Sequence, residues 1–214
     1  MPNTVALQGD CMLAYERVRR VILGTEDPTE RKIRFMALLT SSLPKGRKPV
    51  LTGGSAIEVY LDGMLRTGDM DVVYNVKALE AVLKAWGFAL GGGLRAWAND
   101  ELGLAVDLVG EEFSGSYEMV TTITTEFGPA TIMGVEDLIL KRLASAKFWN
   151  VPSDIEQAFL LARAHGDRLD WAYVHRESEG AGVADYLDKL KEMLVAGKRL
   201  STRTSRTPSR PRRS

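Results

Sequence analysis

The chain has 214 residues, 45% of them hydrophobic and 26% charged, an ordinary globular composition that excludes a disordered or fibrous polypeptide as a whole. Its 28 Lys and Arg balance its 28 Asp and Glu, yet unevenly: residues 193–214 carry seven cations and no carboxylate, which leaves 21 basic and 28 acidic side chains, net −7, on the first 192 residues. One cysteine, Cys11, and two histidines, His165 and His175, exclude an internal disulfide, a zinc site of several thiolates and a His-rich metal site.

In chain order, residues 1–10 lack the basic-then-apolar pattern of a signal peptide. No apolar run anywhere reaches the roughly 18 residues that span a bilayer, so the expected location is cytoplasmic, away from membranes. Residues 8–22 place Met12, Leu13, Tyr15, Val18, Val21 and Ile22 at helical spacing, with Cys11 read as a small core residue. Asp27-Pro28-Thr29-Glu30 is a helix start, with Asp27 as N-cap, Pro28 at the first helical position and Glu30 at N3, and the helix is expected to run to about Ser42. Leu43 to Arg47 is a breaker cluster, Pro49 to Thr52 a short strand, Gly53-Gly54-Ser55 a turn, and Ala56 to Leu61 a short helix. Met70 to Tyr74 reads as a strand and Lys77 to Trp86 as a helix. Phe88 to Leu90 and Leu94 to Ala98 flank Gly91-Gly92-Gly93 as a hairpin, and Leu104 to Val109 is a further strand. Met119 to Glu126 and Ala130 to Met133 form a second hairpin around Phe127-Gly128-Pro129. Helical periodicity then covers about 135–147, 153–164, 169–177 and 182–195. Residues 197–214 are polar, basic and aperiodic, which predicts disorder. Trp86, Trp97, Trp149 and Trp171 are scattered in the manner of core or interface packing.

These elements predict an α/β (α+β) chain: N-terminal helices over 1–47, a small mixed-sheet core over 48–134, a C-terminal helical region over 135–196 and a basic tail over 197–214. The chemistry gathers in LTGGSAIEVYLDGMLRTGDMDVV, residues 51–73. Glycines without Cβ atoms let a backbone approach a bulky ligand, and the helix that Ser55 opens would turn unpaired N–H groups toward an anion such as phosphate. Ser55 either caps that helix or donates its hydroxyl to a phosphate; Gly-Gly-Ser alone also fits a tight strand-to-helix turn. Strand alternation sends Asp69 and Asp71 to one face while Met70 and Val72 pack on the other. Two neighbouring carboxylates suit a hard cation, Mg²⁺ or Mn²⁺. In GLAVDLV, Asp107 faces away from Leu104, Val106 and Leu108, and a charge in so apolar a strand needs a partner, either a metal or an ion pair with Arg66 or Arg95. If this strand lies beside Met70–Tyr74, three carboxylates converge at the Gly-Gly-Ser helix in the manner of a two-metal phosphoryl-transfer site.

The ordered set Gly53-Gly54-Ser55, Asp69-x-Asp71 and the later strand Asp107 resembles the nucleotidyltransferase (DNA polymerase β-like) superfamily. Arg66-Thr67-Gly68-Asp69-Met70-Asp71 is similar to the R-x-T-x-D-x-D form of its minimal bacterial and archaeal members. The resemblance covers about residues 48–195. It implies a nucleotidyltransferase core in which Asp69 and Asp71 bind the metals and the triphosphate, while Asp107 binds the catalytic metal and helps deprotonate the acceptor hydroxyl. Val135 to Leu143 followed by Ser153-Asp154-Ile155 looks like the Lys…Asp segment of abortive-infection and toxin–antitoxin nucleotidyltransferases. That likeness assigns nucleotide phosphate contact to Lys141 and a place near the site to Asp154. From the residues themselves, Asp137 and Lys141 also fit a surface i, i+4 pair, and Asp154 fits a capping box of Ser153 and Glu156. The family pattern often has a basic residue where this chain has Ser153.

The resulting expectation is a metal-dependent transferase moving an NMP from an NTP to an acceptor hydroxyl, with RNA (the tRNA 3′ end among the candidates) or a protein as acceptor and a cognate antitoxin or toxin as partner. Two alternatives stay open: an aminoglycoside-type small-molecule nucleotidyltransferase, and a non-catalytic nucleotide-binding or antitoxin module. The basic tail favours RNA, since a small-molecule enzyme has no evident need of it.

Overall fold

The computed structural model describes residues 15–44, 46–91 and 95–204, with side chains to residue 197; the expectations for Cys11 and for residues 205–214 lie outside them. A first helix, α1, covers residues 15–23. The second, α2 (Pro28–Ser42), begins as its sequence dictates: Pro28 sits in the first turn and the Asp27 carboxylate accepts the Glu30 N–H at 2.7 Å, satisfying one of the otherwise orphaned amides. It buries Phe35, Met36 and Leu39.

The strands form one mixed sheet. In chain order they are β1 (Val50–Thr52), β2 (Asp69–Val73), β3 (Ala89–Leu90), β4 (Ala96–Asn99), β5 (Leu104–Gly110), β6 (Thr121–Thr125) and β7 (Gly128–Ile132), arranged β3-β4-β5-β2-β1-β7-β6. β1 runs antiparallel to β2 and parallel to β7, β2 runs parallel to β5, and the remaining pairs are antiparallel. One face is a dry core: Leu51, Met70, Val72, Val106, Leu108 and Ile132 are all at most 1% exposed. Helix α3 (Gly53–Tyr60) packs on β1 and β2, and α2 on β7. Helix α4 (Val76–Ala85) is capped by Asn75, which accepts the Ala78 N–H. It ends at Trp86, whose ring meets Phe35 edge-on at 5.7 Å.

The chain divides into two compact units, one through Leu138 and one from Ile139, the division falling within α5 (Val135–Phe148). The second unit continues with α6 (Pro152–His165), α7 (Trp171–Gly180) and α8 (Ala184–Thr204). Among the described residues no helix is long and apolar enough to cross a membrane.

Several expectations need correction. The second hairpin turns at Glu126-Phe127, and Gly128 and Pro129 already belong to β7, Pro129 facing Thr124. Thr125 makes the turn compact: its hydroxyl donates to the Gly128 carbonyl at 2.8 Å and accepts the Phe127 N–H at 3.1 Å. α6 starts at Pro152 with Val151 as an N-cap that makes no side-chain bond. Proline's fixed φ suits the first helical position, so Ser153 falls inside the first turn and the Ser153–Glu156 capping box does not form. α8 runs to Thr204, so residues 197–204 are helical rather than irregular. Once a helix is nucleated each further residue is cheap to add. Trp86 and Trp97 are core residues, whereas Trp149 is 80% exposed.

Candidate active site

Helix α3 begins directly after β1, three residues earlier than its apolar pattern suggests, because two glycines form its first turn. Each glycine is required by the protein's own packing. Gly53 has φ +62°, and a Cβ there would lie 1.7 Å from Asp71 Oδ2; the Asp71 carboxylate fills that space, against the positive end of α3. A Cβ on Gly54 would lie 2.5 Å from the Thr67 methyl. The Thr52 N-cap makes no side-chain bond to the helix and donates its hydroxyl to Met133 Sδ at 3.2 Å instead.

Gly53→Ala is therefore expected to push Asp71 out of place and to strain the backbone, destabilising the protein by about 1–3 kcal/mol. Thermal unfolding reads the stability loss, and a fully stable variant would contradict this packing.

Ser55 does not cap α3. It is wholly buried, accepts from Lys32 Nζ at 3.0 Å, shares a 2.8 Å bond with Thr67 Oγ1 and donates to the carbonyl of Asp69. A hydroxyl has one proton to give, and here Ser55 uses it to brace the start of β2. Around it lies a buried polar network that sequence reasoning did not find. Lys32, 5% exposed, pairs with Glu58, 1% exposed, at 2.7 Å. Lys32 also donates to the Thr67 carbonyl at 2.7 Å, while Glu58 accepts from Thr29 Oγ1 at 2.8 Å and from the Thr67 N–H at 2.9 Å. Burial pushes the Glu58 carboxyl up, but the bonds from Lys32, Thr67 and Thr29 outweigh it and hold the pKa below its ordinary value. The available signal was Lys32 itself, four residues before Met36 and three before Phe35 on the apolar stripe of α2.

This network delivers the loop at Thr67 to β2, and β2 delivers the aspartates. In the parallel β2–β5 register Asp71 stands directly beside Asp107, and Asp69 beside Ala105. Side-by-side residues share a face, so all three carboxylates lie on the sheet face opposite the core. Asp69 is exposed, Asp71 and Asp107 half-buried. Among the described residues Asp107 forms no ion pair with Arg66 or Arg95. Arg66 is exposed on the loop before β2.

An all-oxygen donor set suits a hard divalent cation. It is an open row along two strands: among the described residues no three His, Cys, Asp or Glu side chains are gathered closely enough to hold an ion unaided.

Two carboxylates of the helical segment, Asp137 and Asp154, are buried rather than at the surface. Asp137 is buried and accepts the Ser116 N–H at 2.8 Å, because Gly115 leaves room for its carboxylate. Asp154, 4% exposed, pairs with Arg142 at 3.3 Å within the second unit, a partner reached across the α5–α6 turn rather than along one helix. Lys141, one residue before Arg142, also lies on the part of α5 belonging to that unit.

No protein-family model matches this chain, and no curated protein matches it either. The solution structure of the antibiotic-resistance factor ANT(2'')-Ia is similar over 81% of this chain and 94% of its own, at 15% identity and a TM-score of 0.44.

Proposed function

We propose that the protein is a divalent-metal-dependent nucleotidyltransferase that moves an NMP from an NTP to an acceptor hydroxyl and releases pyrophosphate. One observation carries the reading: Asp107 stands beside Asp71 in parallel register, on the same face as Asp69, with the Asp71 carboxylate against the glycine that opens α3. The sequence order of these residues is also the pattern that resembles the nucleotidyltransferase superfamily.

Asp69, Asp71 and Asp107 would hold Mg²⁺ or Mn²⁺, which supplies charge neutralisation at the phosphates. The chain's own residues do the rest. The α3 N-terminus, with the Gly53 and Gly54 backbone, favours the negative triphosphate there. Asp107, half-buried and without an ion pair among the described residues, takes the proton of the acceptor hydroxyl. The acceptor oxygen then bonds to the α-phosphorus, the bond from that phosphorus to the bridging oxygen breaks, and pyrophosphate leaves with the electron pair. Catalysis on this scheme is positioning and charge complementarity. Lys141 is assigned to the nucleotide phosphates by the motif alone, and Asp154, through its pair with Arg142, to support of that helical segment.

RNA is the favoured acceptor because the charge of the chain is concentrated at one end: Arg206, Arg210, Arg212 and Arg213 follow the last described residue with no carboxylate among them, and such a cluster binds phosphates without sequence preference. A toxin–antitoxin partner rests on the motif likeness alone.

The test mixes the protein with Mg²⁺, each labelled NTP, and bulk tRNA, candidate proteins or aminoglycosides. Label is expected on RNA with wild type and absent with Asp69→Ala. Removing residues 205–214 is expected to weaken RNA binding and flatten its salt dependence without abolishing transfer. Label on an aminoglycoside alone would replace RNA with a small-molecule acceptor, and no label anywhere, with wild type equal to the variant, would leave a non-catalytic binding module.

A further inference from the structure

A second site lies on the aspartate face of the same sheet. A cavity of about 380 Å³ is lined by Arg47, Lys48, Tyr117, Thr122 and Thr131, together with small or apolar residues and no carboxylate. Thr131 is 3% exposed, and its buried hydroxyl meets no hydrogen-bond partner among the described residues. Native folds rarely leave such a group unmet, and a water or a ligand oxygen reaching it from the cavity would satisfy it. Arg47 and Lys48 are exposed at the rim, and the Arg47 guanidinium sits 5.3 Å from the centre of the Tyr117 ring. Tyr117 itself is 45% exposed. The Tyr117 ring also meets Phe113, 4.8 Å between ring centres, so its place is to back the Arg47 guanidinium. Two cations at the rim, threonines in the lining and no carboxylate suit the phosphates of a single strand.

Its position relative to the aspartates follows from the register. Thr131 stands beside Val50, and Thr52, two residues on along β1, faces Asp71. Thr131 and Asp71 therefore share a face, two strands and two residues apart, which is about 12 Å at ordinary strand spacing. A strand whose terminal hydroxyl met the aspartates could lay an earlier phosphate in the cavity.

We propose that this cavity is a phosphate subsite for single-stranded RNA; the choice of RNA as its ligand rests on the nucleotidyl-transfer reading above. The test measures binding of a short labelled single-stranded RNA to the full-length protein by fluorescence anisotropy, across about 50 to 200 mM salt. Arg47→Ala/Lys48→Ala is expected to weaken RNA binding and to flatten the log–log salt slope by about 0.7 for each phosphate that the variant no longer neutralises. Thr131→Val, uncharged and of similar shape, is expected to weaken binding about threefold to tenfold with the slope unchanged. Its unfolding midpoint should not fall, because the hydroxyl it removes has no partner among the described residues. A double variant with wild-type affinity and slope overturns the proposal. So does one that loses NTP affinity and keeps RNA affinity, which would give the cavity to the nucleotide, and so does a Thr131→Val that is less stable yet binds RNA normally. Binding is read without turnover, so the two readings fail separately. RNA binding that responds to these variants, with no label transferred by any chain, keeps the subsite and sinks the transferase; transfer to RNA by the double variant at wild-type KM does the reverse.

Discussion

Lys32→Met is expected to cost about 3–5 kcal/mol of folding free energy at neutral pH, the usual consequence of leaving a buried charge without its partner. The size follows from how completely Lys32 and Glu58 depend on each other. Lys32 Nζ reaches Glu58 Oε2, the Thr67 carbonyl, Ser55 Oγ and Thr67 Oγ1 within 3.0 Å. Removing it leaves a carboxylate 1% exposed with only Thr29 and Thr67 as donors. Glu58→Gln alone should be costly for the mirror reason. Lys32→Met/Glu58→Gln should cost clearly less than the two singles together, since replacing both members of a buried pair removes the unpaired charge. Urea titrations of the four proteins close the cycle, and additive losses would mean that the pair is not coupled.

The pH dependence has a definite sign. The Glu58 pKa is lower folded than its ordinary 4.5, so its contribution is present above that value and is lost as pH falls through the folded pKa. Wild type should therefore weaken relative to Glu58→Gln on acidification below about pH 4.5. The consequence reaches the site, because Thr67 and Ser55, held by this pair, are also what hold the start of β2.

Local chemistry was legible in the sequence wherever a few neighbouring residues settle a structure. Asp27-Pro28-Thr29-Glu30 predicts the start of α2 because the cap, the fixed proline φ and the amide it satisfies lie within four residues. The alternation of Met70 and Val72 against Asp69 and Asp71 likewise reports the two faces of β2. What the sequence leaves conditional is pairing between distant segments: nothing within Leu104–Gly110 says that Asp107 will stand beside Asp71. Ser55 shows the same limit. Its place after two glycines suggests a cap, but its partners, Lys32 and Thr67, come from other elements. Lys32 carried a faint signal, as a charge on an apolar helical stripe, and Glu58 is the partner that explains it. At the far end, the capping box at Ser153 lost to the proline before it, and helix propagation in α8 outran the polar composition of residues 197–204.

Asp107→Asn is expected to lower nucleotidyl transfer by about 10² to 10⁴-fold, the range associated with loss of a proton-accepting group, while leaving the fold intact or slightly more stable without divalent metal. Both halves come from the same geometry. Parallel pairing holds Asp71 and Asp107 side by side, on strands about 4.8 Å apart, and like charges so placed repel. Neutralising one removes that repulsion, so in EDTA the variant should unfold at or above the wild-type temperature. Adding Mg²⁺ with an NTP should raise the wild-type midpoint, because a ligand bound only by the folded state stabilises it by mass action. The variant, with one anionic oxygen donor fewer, should gain less. A residue with a merely structural role would show the opposite pattern, with stability lost in EDTA and an undiminished response to metal. Full transfer by Asp107→Asn, or a wild type whose midpoint ignores Mg²⁺ and NTP, would remove Asp107 from the chemistry and leave the carboxylate row as a feature of the surface.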